Sequence, residues 1–182
     1  MTIPYITKQQ TLKLIDRLPS TDSKGYDEVT NNIIKSIKWE IEPIITHLIN
    51  RIIATEIFPK IYKLSRILPL SKPKKNILDI ESYRPINNMA AVEKIIEQYL
   101  QECINKHYDI NNVLIDSHHG GRKKHSTKTA ITNIYHELIN NKELTKTSIL
   151  FCTDLSAAYD TVDHEILLRK LEHMALEAKF IT

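Results

Sequence analysis

The stretch Ser148–His164, SILFCTDLSAAYDTVDH, decides how the fold of this chain is interpreted. Its first six residues, ending at Thr153, mix β-branched, aromatic and aliphatic types over the length of a buried strand. Asp154 follows where that strand should stop, and Asp163 occupies the position of a helix N-cap. The pattern predicts a strand, a turn that carries a carboxylate, and a helix.

Asp154 is the candidate catalytic residue that this pattern presents. The small residues 156–158 follow it and would let another molecule come close. Mg²⁺ is commonly held by one or two carboxylates together with substrate phosphates, so an acid at this place suits a metal ion that also meets phosphate. From the residues alone, the alternative is that Asp154 caps a turn.

The rest of the chain predicts an α+β fold that is mostly helical. Loose alternation predicts a strand over Tyr62–Leu70 and a strand or extended segment over Asp79–Ile86. Pro43 is expected to break or kink one long helical pattern, which we interpret as two packed helices. Trp39 is expected in the core or between helices or, alternatively, stacking on a base. Helical spacing of apolar residues occurs in the segments Gln9–Arg17, Glu28–Thr55, Met89–His107 and Thr127–Asn140.

Length and charge set the class of protein. The chain has 182 residues, of which 42% are hydrophobic, enough for one core with a helical lead-in. The net charge of +3 is weak support for a polyanionic partner. Two local basic runs, residues 72–75 and 122–128, could neutralise backbone phosphates, and the alternative is that each is a solvated surface.

Several classes of site and location are not indicated. Cys103 and Cys152 are too few and too far apart for a disulfide framework, and no Cys/His grouping has zinc-finger spacing. His118 and His119 lack a third metal ligand at suitable spacing. No signal-peptide pattern or apolar run of about 20 residues is found, so we expect no membrane partner, and nothing directs the chain out of the cell.

The segment Asp154–Leu168, DLSAAYDTVDHEILL, resembles the first catalytic motif of the reverse transcriptases of non-LTR retrotransposons. Phe58–Lys75 and Tyr83–Ile86 are similar to the fingers of the same family, and Gly25–Asp27 to a loop that precedes them. The resemblance implies part of a right-hand polymerase fold and an intracellular location, cytoplasmic or nuclear. We expect a helical lead-in and linker at 1–27, fingers at about 28–140, and the first palm strand, turn and helix at about 146–176.

The resemblance also implies roles for single residues in two-metal nucleotidyl transfer. Lys72 and Arg84 stand at the positions that contact the deoxynucleoside triphosphate. Asp154 matches the aspartate that binds both Mg²⁺ ions, ~3.5–4 Å apart, and the carbonyl of Leu155 matches a ligand of one of them. The ring of Tyr159 matches one that lies under the sugar and excludes a 2′-hydroxyl, although most relatives have phenylalanine there.

The loop before the predicted helix Thr127–Asn140 resembles the part of the family that lies against the template. His118 and Gly121 depart from the pattern, because they stand where glutamine and phenylalanine are usual, and this puts template contact and local packing there in question. Lys123 and Lys124 add positive charge. Together with Gly120 and Arg122, they are the candidate nucleic-acid contacts. The matching residues are Gly120, Arg122, Ser126 and Thr127.

One part of the family's chemistry is missing from these residues. The second carboxylate motif of the family ends in Asp-Asp, and this sequence contains no such pair. We therefore expect a fragment that ends before the rest of the palm and the thumb and is inactive alone. Its expected partners are an RNA template, a DNA primer, a deoxynucleotide and a second chain that supplies the palm. The alternatives are a non-enzymatic nucleic-acid-binding remnant and an inert helical protein.

Overall fold

The computed structural model describes residues 2–22, 24–73, 76–155, 158–159 and 161–174. The chain divides into two compact units, which are treated separately below. The first contains the residues up to Lys106 together with those from Leu168 onward, and the second is His107–Leu167. The predicted helix-rich fold with a small sheet is confirmed.

Helices from the N-terminal part of the chain build most of the described first unit. They are α1 (Lys8–Arg17), α2 (Asn31–Ser36), α3 (Lys38–Thr55) and α4 (Ala91–Ile110). α1 begins at a capping box, in which Thr7 accepts the Gln10 N–H and the Gln10 side chain accepts the Thr7 N–H. The core is formed mainly by isoleucine and leucine side chains, which include Leu14, Ile15, Ile34, Ile45, Ile49, Ile52, Ile95 and Ile96.

The extended segment before α1 belongs to this core. Ile3 and Ile6 are buried in it. The Tyr99 hydroxyl donates to the Pro4 carbonyl at 2.7 Å. Asn50 uses both ends of its amide, because it accepts the Ile6 N–H at 2.8 Å and donates to the Ile6 carbonyl at 3.0 Å. The lead-in is therefore fixed by hydrogen bonds as well as by apolar packing.

The two predicted helices are present, but the predicted position of a break at Pro43 is wrong. The break occurs at Ile37, and Pro43 lies inside α3. A proline there removes one amide donor, which would have bonded to the Trp39 carbonyl. Trp39 is exposed, so water can satisfy that carbonyl, while burial of Ile45 and Ile49 favours an unbroken helix.

Trp39 is also not the interhelical anchor that the sequence predicts. Its side chain is 63% exposed. The Lys38 ammonium lies 5.2 Å from the centre of the indole ring, at the distance of a cation–π contact. Helical position alone did not reveal this, because the buried stripe of α3 runs through Ile45, Ile49 and Ile52.

A single antiparallel hairpin provides the sheet in the described part of the first unit. β1 (Arg66–Ser71) pairs with β2 (Tyr83–Asn88). Short 3₁₀ turns, Lys60–Lys63 and Ile80–Ser82, precede the two strands. β1 begins later than predicted because Tyr62 lies in the first of these turns and packs against the core.

The second unit contains α5 (Thr127–Glu143) and the start of α6 (His164–His173). Ser126 caps α5 by accepting the Thr129 N–H, and Asp163 accepts the Ile166 N–H at 3.0 Å, which confirms the predicted N-cap of α6. No described side chain of α5 is buried. Across the described residues, no helix is both long and apolar enough to cross a bilayer.

The predicted buried strand at Ser148–Thr153 is wrong for the described structure. The segment has no regular secondary structure and pairs with no described strand, and Ile149 and Phe151 are 90% and 85% exposed. A strand forms only where a neighbour takes up its N–H and C=O groups, and β1 and β2 pair with each other. Residues 74–75, 156–157, 160 and 175–182, on which part of the basic run, the small-residue turn and the chain end fall, lie outside the described residues.

Candidate nucleotide-binding and catalytic residues

The register of the hairpin brings Lys72 and Arg84 together on one face. Arg84 lies directly opposite Leu70. The Lys72 N–H donates to the Ser82 carbonyl at 2.7 Å, which continues the same register by one pair. Side chains two positions apart on a strand share a face, so Lys72 and Arg84 are diagonal neighbours, a relationship with Cβ atoms ~7–8 Å apart.

The two cations are held differently. Lys72 is half-buried, and its ammonium donates to the Glu81 carbonyl at 2.6 Å. Arg84 is exposed, and its guanidinium has no hydrogen bond or ion pair to any residue that the structure describes. An anion on this face would bind the exposed Arg84 guanidinium directly. To bind the Lys72 ammonium as well, it would have to replace the Glu81 carbonyl as hydrogen-bond acceptor. Such a pair can hold a polyphosphate, with the guanidinium able to bind two oxygens at once.

Asp154 is exposed in the second unit. Its Oδ1 accepts the N–H of Leu155 at 3.0 Å, which fixes the carboxylate against its own backbone. Tyr159, the predicted sugar-contacting ring, is 94% exposed. The cations at Lys72 and Arg84 belong to the other unit, so their approach to Asp154 stays a prediction.

The described residues do not make up a two-ion site by themselves. No group of three or more His, Cys, Asp or Glu side chains among them could hold a metal ion. Asp163 uses its Oδ1 as the cap of α6. The Asp154 carboxylate and the Leu155 carbonyl are oxygen ligands of the kind Mg²⁺ prefers, but they are fewer than an octahedral ion needs.

The basic loop before α5 combines exposed charge with a fixed backbone. Lys123 and Lys124 are exposed, and Lys124 has a left-handed φ of 64°. Arg122 is half-buried and donates to the Ile115 carbonyl at 3.3 Å, so it also holds the loop together. Space around Gly120 is open, because a Cβ added there would meet no atom within 4 Å.

His119 is part of a hydrogen-bond network in the same loop. The Thr129 hydroxyl donates to the Ser126 carbonyl at 2.8 Å, so it accepts from Nδ1–H of His119 at 2.9 Å. The Asn133 amide donates to Nε2 of His119 at 3.3 Å. Both ring nitrogens are thus used within the protein. The sequence did not reveal this role of His119.

Comparison with known proteins identifies the family. Residues 72–182 match the reverse transcriptase (RNA-dependent DNA polymerase) family, more than half of the chain. This range contains every residue that the family resemblance proposes for nucleotide, metal or nucleic-acid binding. The chain belongs to the reverse transcriptase family.

Similar reverse transcriptases occur in insect mobile elements. The chain is 27% identical over 179 residues to the probable RNA-directed DNA polymerase from transposon BS of Drosophila melanogaster, covering 96% of this chain and 19% of that protein. It is 26% identical over 179 residues to the polymerase from mobile element jockey of the same species, again 96% and 19%. The polymerase from its transposon X-element is 24% identical over 166 residues, 90% and 18%.

These relatives confirm the predicted non-LTR retrotransposon type. The chain spans about a fifth of their length, so it corresponds to part of such a reverse transcriptase.

The sequence did not reveal the residues that hold the hairpin of this reverse transcriptase family member. Asn88 donates to the Lys24 carbonyl at 2.6 Å, and Arg66 donates to the Glu28 carboxylate at 3.0 Å. These partners are far apart in sequence, and no local periodicity relates them. One local signal was available, since Glu93 stands three residues after Ala90 at the start of α4 and accepts its N–H at 3.2 Å.

Proposed function

We propose that this chain provides the triphosphate-binding face and the first catalytic carboxylate of an RNA-directed DNA polymerase. The observation that carries the proposal is the hairpin register, which puts Lys72 and Arg84 on one face within the family match. A triphosphate is dense in negative charge, and holding it in line for attack supplies much of the catalysis in phosphoryl transfer. Two adjacent cations on one face serve that purpose.

Asp154 would supply one carboxylate ligand for Mg²⁺, which when bound activates the primer 3′-hydroxyl and neutralises phosphate charge. Its Oδ1 is held by the Leu155 N–H, so Oδ2 is the oxygen that faces a cation. The remaining carboxylates would come from palm residues outside this chain, either in the rest of the polymerase or in a second chain. By itself the chain binds substrate and does not extend a primer.

The wider architecture follows from the same proposal. The hairpin and its neighbouring helices, about 28–140, act as fingers after the lead-in at 1–27, and residues of about 146–176 begin a palm in a right-hand fold. Lys123, Lys124 and Gly120 face an RNA template and DNA primer, and Tyr159 selects deoxynucleotides by its bulk. Reverse transcriptases of this family work in the cytoplasm or the nucleus, so we propose that this chain acts inside the cell.

Triphosphate affinity tests the proposal directly. A fluorescent deoxynucleoside triphosphate would be titrated against the wild type, Lys72→Ala and Arg84→Ala in the presence of Mg²⁺. Each variant should bind about 10-fold more weakly, which corresponds to ~1.4 kcal/mol for a lost charge-assisted hydrogen bond. Lys13→Ala and Arg51→Ala are matched controls on the exposed surfaces of α1 and α3 and should bind as the wild type does. Equal loss in the controls would contradict a dedicated face.

A second candidate function is nucleic-acid binding without catalysis. The exposure of Lys123 and Lys124 beside the open space at Gly120 favours it. It predicts salt-dependent binding of a primer–template with no specific triphosphate affinity. Loss of triphosphate binding in Lys72→Ala, at unchanged primer–template binding, would decide for the polymerase function.

A further inference from the structure

The β1–β2 hairpin is not held by a hydrophobic face of its own. Every residue of β1 is exposed, and β2 is only half-buried at its two ends, Tyr83 and Asn88. Apolar burial is what usually fixes the direction of a sheet against the rest of a domain. The direction of this hairpin must therefore be set by contacts at its base.

One loop, Lys24–Glu28, makes side-chain contacts with both strands there. The Lys24 carbonyl accepts from the Asn88 amide at 2.6 Å, and the Glu28 carboxylate accepts from the Arg66 guanidinium at 3.0 Å. Arg66 and Asn88 are directly opposite each other in the register, one on each strand. The loop thus holds both strands of the hairpin at the same level.

The loop also touches the backbone between β2 and α4. A Cβ at Gly25 would lie 2.6 Å from the Ala90 nitrogen and 2.7 Å from its Cα, distances at which the backbone must shift. Ala90 is fully buried, and its N–H donates to Glu93 at 3.2 Å, so it has little freedom to move. Only glycine allows this approach.

The loop is closed on itself, as a fixed support requires. Lys24 pairs with Thr30 in an isolated antiparallel bridge. The Asp27 carboxylate accepts the Val29 N–H at 3.2 Å. The Lys24 ammonium lies 3.7 Å from the Glu28 carboxylate, and Glu28 adopts a left-handed φ of 59°. These features favour one loop conformation over several.

We propose that the loop Lys24–Glu28 is a positioning element that sets the direction of the Lys72–Arg84 face. The catalytic consequence rests on the proposed function of that face. Gly25 and Glu28 are the positioning residues: Gly25 by its close approach to Ala90, and Glu28 by its ion pair with Arg66.

The hairpin is long enough for a small tilt at its base to move Lys72 and Arg84 substantially. From Arg66 to Lys72 the strand rises about 20 Å at ~3.4 Å per residue. A tilt of about 10° at the base would therefore displace the cations by about 3 Å, whereas binding groups must be held to within about 0.5 Å. Small changes in the loop should therefore weaken triphosphate binding without unfolding the helices.

The test is charge reversal with distance measurement. Spin labels at Ser71→Cys, on the face opposite Lys72 and Arg84, and at Glu40→Cys on α3 would report the hairpin direction in a Cys103→Ala, Cys152→Ser background. Glu28→Arg should shift or broaden the distance distribution, and Glu28→Arg combined with Arg66→Glu should restore it. Gly25→Ala should shift it as well.

A closely matched control exists in the same unit. Glu56 is also an exposed glutamate with a left-handed φ, 57°, and it lies at the end of α3. Glu56→Arg should leave the distance unchanged. Glu28→Arg should also weaken triphosphate binding by ~3- to 10-fold at an unchanged Tm of the helices, and the double reversal should rescue it.

The two readouts separate the two proposals. An unchanged distance distribution in Glu28→Arg and Gly25→Ala would overturn the positioning role, whatever happens to triphosphate affinity. A wild type that binds no triphosphate would overturn the proposed function, while the distance measurement would still decide the role of the loop. If Gly25→Ala failed to fold, Glu28→Arg and its rescue would carry the test.

Discussion

Arg84 lies diagonally across the hairpin from Lys72, on the same face, because the Lys72 N–H donates to the Ser82 carbonyl in the register of β1 and β2. The two residues come from different strands and are separated in sequence by the whole connecting turn. A one-residue slip of the register would send one of them to the other face. The pairing of the strands therefore determines whether the chain presents a paired cationic face.

Arg84→Lys should weaken triphosphate binding by about 3- to 10-fold although the charge is kept. A guanidinium can bind two phosphate oxygens in parallel, whereas an ammonium acts as a compact point charge. The measurement is the dissociation constant of a deoxynucleoside triphosphate at fixed salt. Arg51→Lys is the control, and an Arg84→Lys variant that binds like the wild type would show that only charge matters at this position.

Removal of Lys123 and Lys124 together should reduce the salt dependence of RNA binding. Each phosphate contact on a single strand contributes ~0.7 to the slope of log K against log salt, so the slope should fall by about 1.4 in Lys123→Ala/Lys124→Ala. Fluorescence anisotropy with a single-stranded RNA over a salt series measures this. Lys13→Ala/Lys106→Ala removes the same charge from other exposed positions, and an equal effect there would refute a localised contact.

Arg122 should behave differently from its two neighbours. Its guanidinium donates to the Ile115 carbonyl, so Arg122→Ala removes a loop contact as well as a charge. We expect faster amide hydrogen exchange in the loop before α5 for Arg122→Ala than for Lys123→Ala. Equal exchange in the two variants would assign Arg122 to the binding surface alone.

Glu93→Gln should change the pH dependence of stability. Burial raises the pKa of Glu93 above the usual value of a glutamate, the charges of Glu97 and Asp27 raise it further, and the Ala90 N–H and Lys94 oppose the shift. The stability linked to protonation of Glu93 is fully present at pH values below the pKa of the unfolded state. It is lost as the pH rises through the raised pKa of the folded state. The amide of Gln still accepts the Ala90 N–H without ionising, so the variant should gain stability relative to the wild type as the pH rises.

Urea denaturation at a series of pH values measures this difference. Glu137→Gln, an exposed glutamate on α5, is the control and should follow the wild type. A Glu93→Gln variant whose stability runs parallel to that of the wild type at all pH values would contradict the assigned cause.

Asn50→Ala should destabilise the first unit by about 2 kcal/mol, because it leaves the partly buried N–H and carbonyl of Ile6 without their partner. Tyr99→Phe removes one hydrogen bond to Pro4 and should cost about 1 kcal/mol. Chemical denaturation measures both. Asn105→Ala, at an exposed position of α4, should have little effect, and a cost as large as that of Asn50→Ala would argue against a fixed lead-in.

The helices could be predicted from the sequence because their causes are local. Ser126 and Asp163 cap α5 and α6 as their residue types indicate, and apolar spacing locates α4 to within a few residues. The family motifs identified Lys72 and Arg84. That they share a face of the hairpin follows from the register and was not predicted from the sequence.

The errors have non-local causes. Residues Ser148–Thr153 have strand composition, but a strand needs a partner that local sequence does not provide. The exposure of Trp39 and the inclusion of Pro43 in an unbroken helix depend on which side of α3 is buried. The support of the hairpin by Glu28 and Gly25 joins residues distant in sequence, so only the folded structure reveals it.

Primer extension on an RNA template with Mg²⁺ and deoxynucleotides, measured beside triphosphate binding by the same preparation, tests the proposed function. We expect the chain to bind triphosphate through Lys72 and Arg84 and to add no nucleotide, with Asp154→Asn indistinguishable from the wild type in extension. Extension by the wild type that is lost in Asp154→Asn would refute the proposed function, because the chain would then complete a catalytic site without further palm residues.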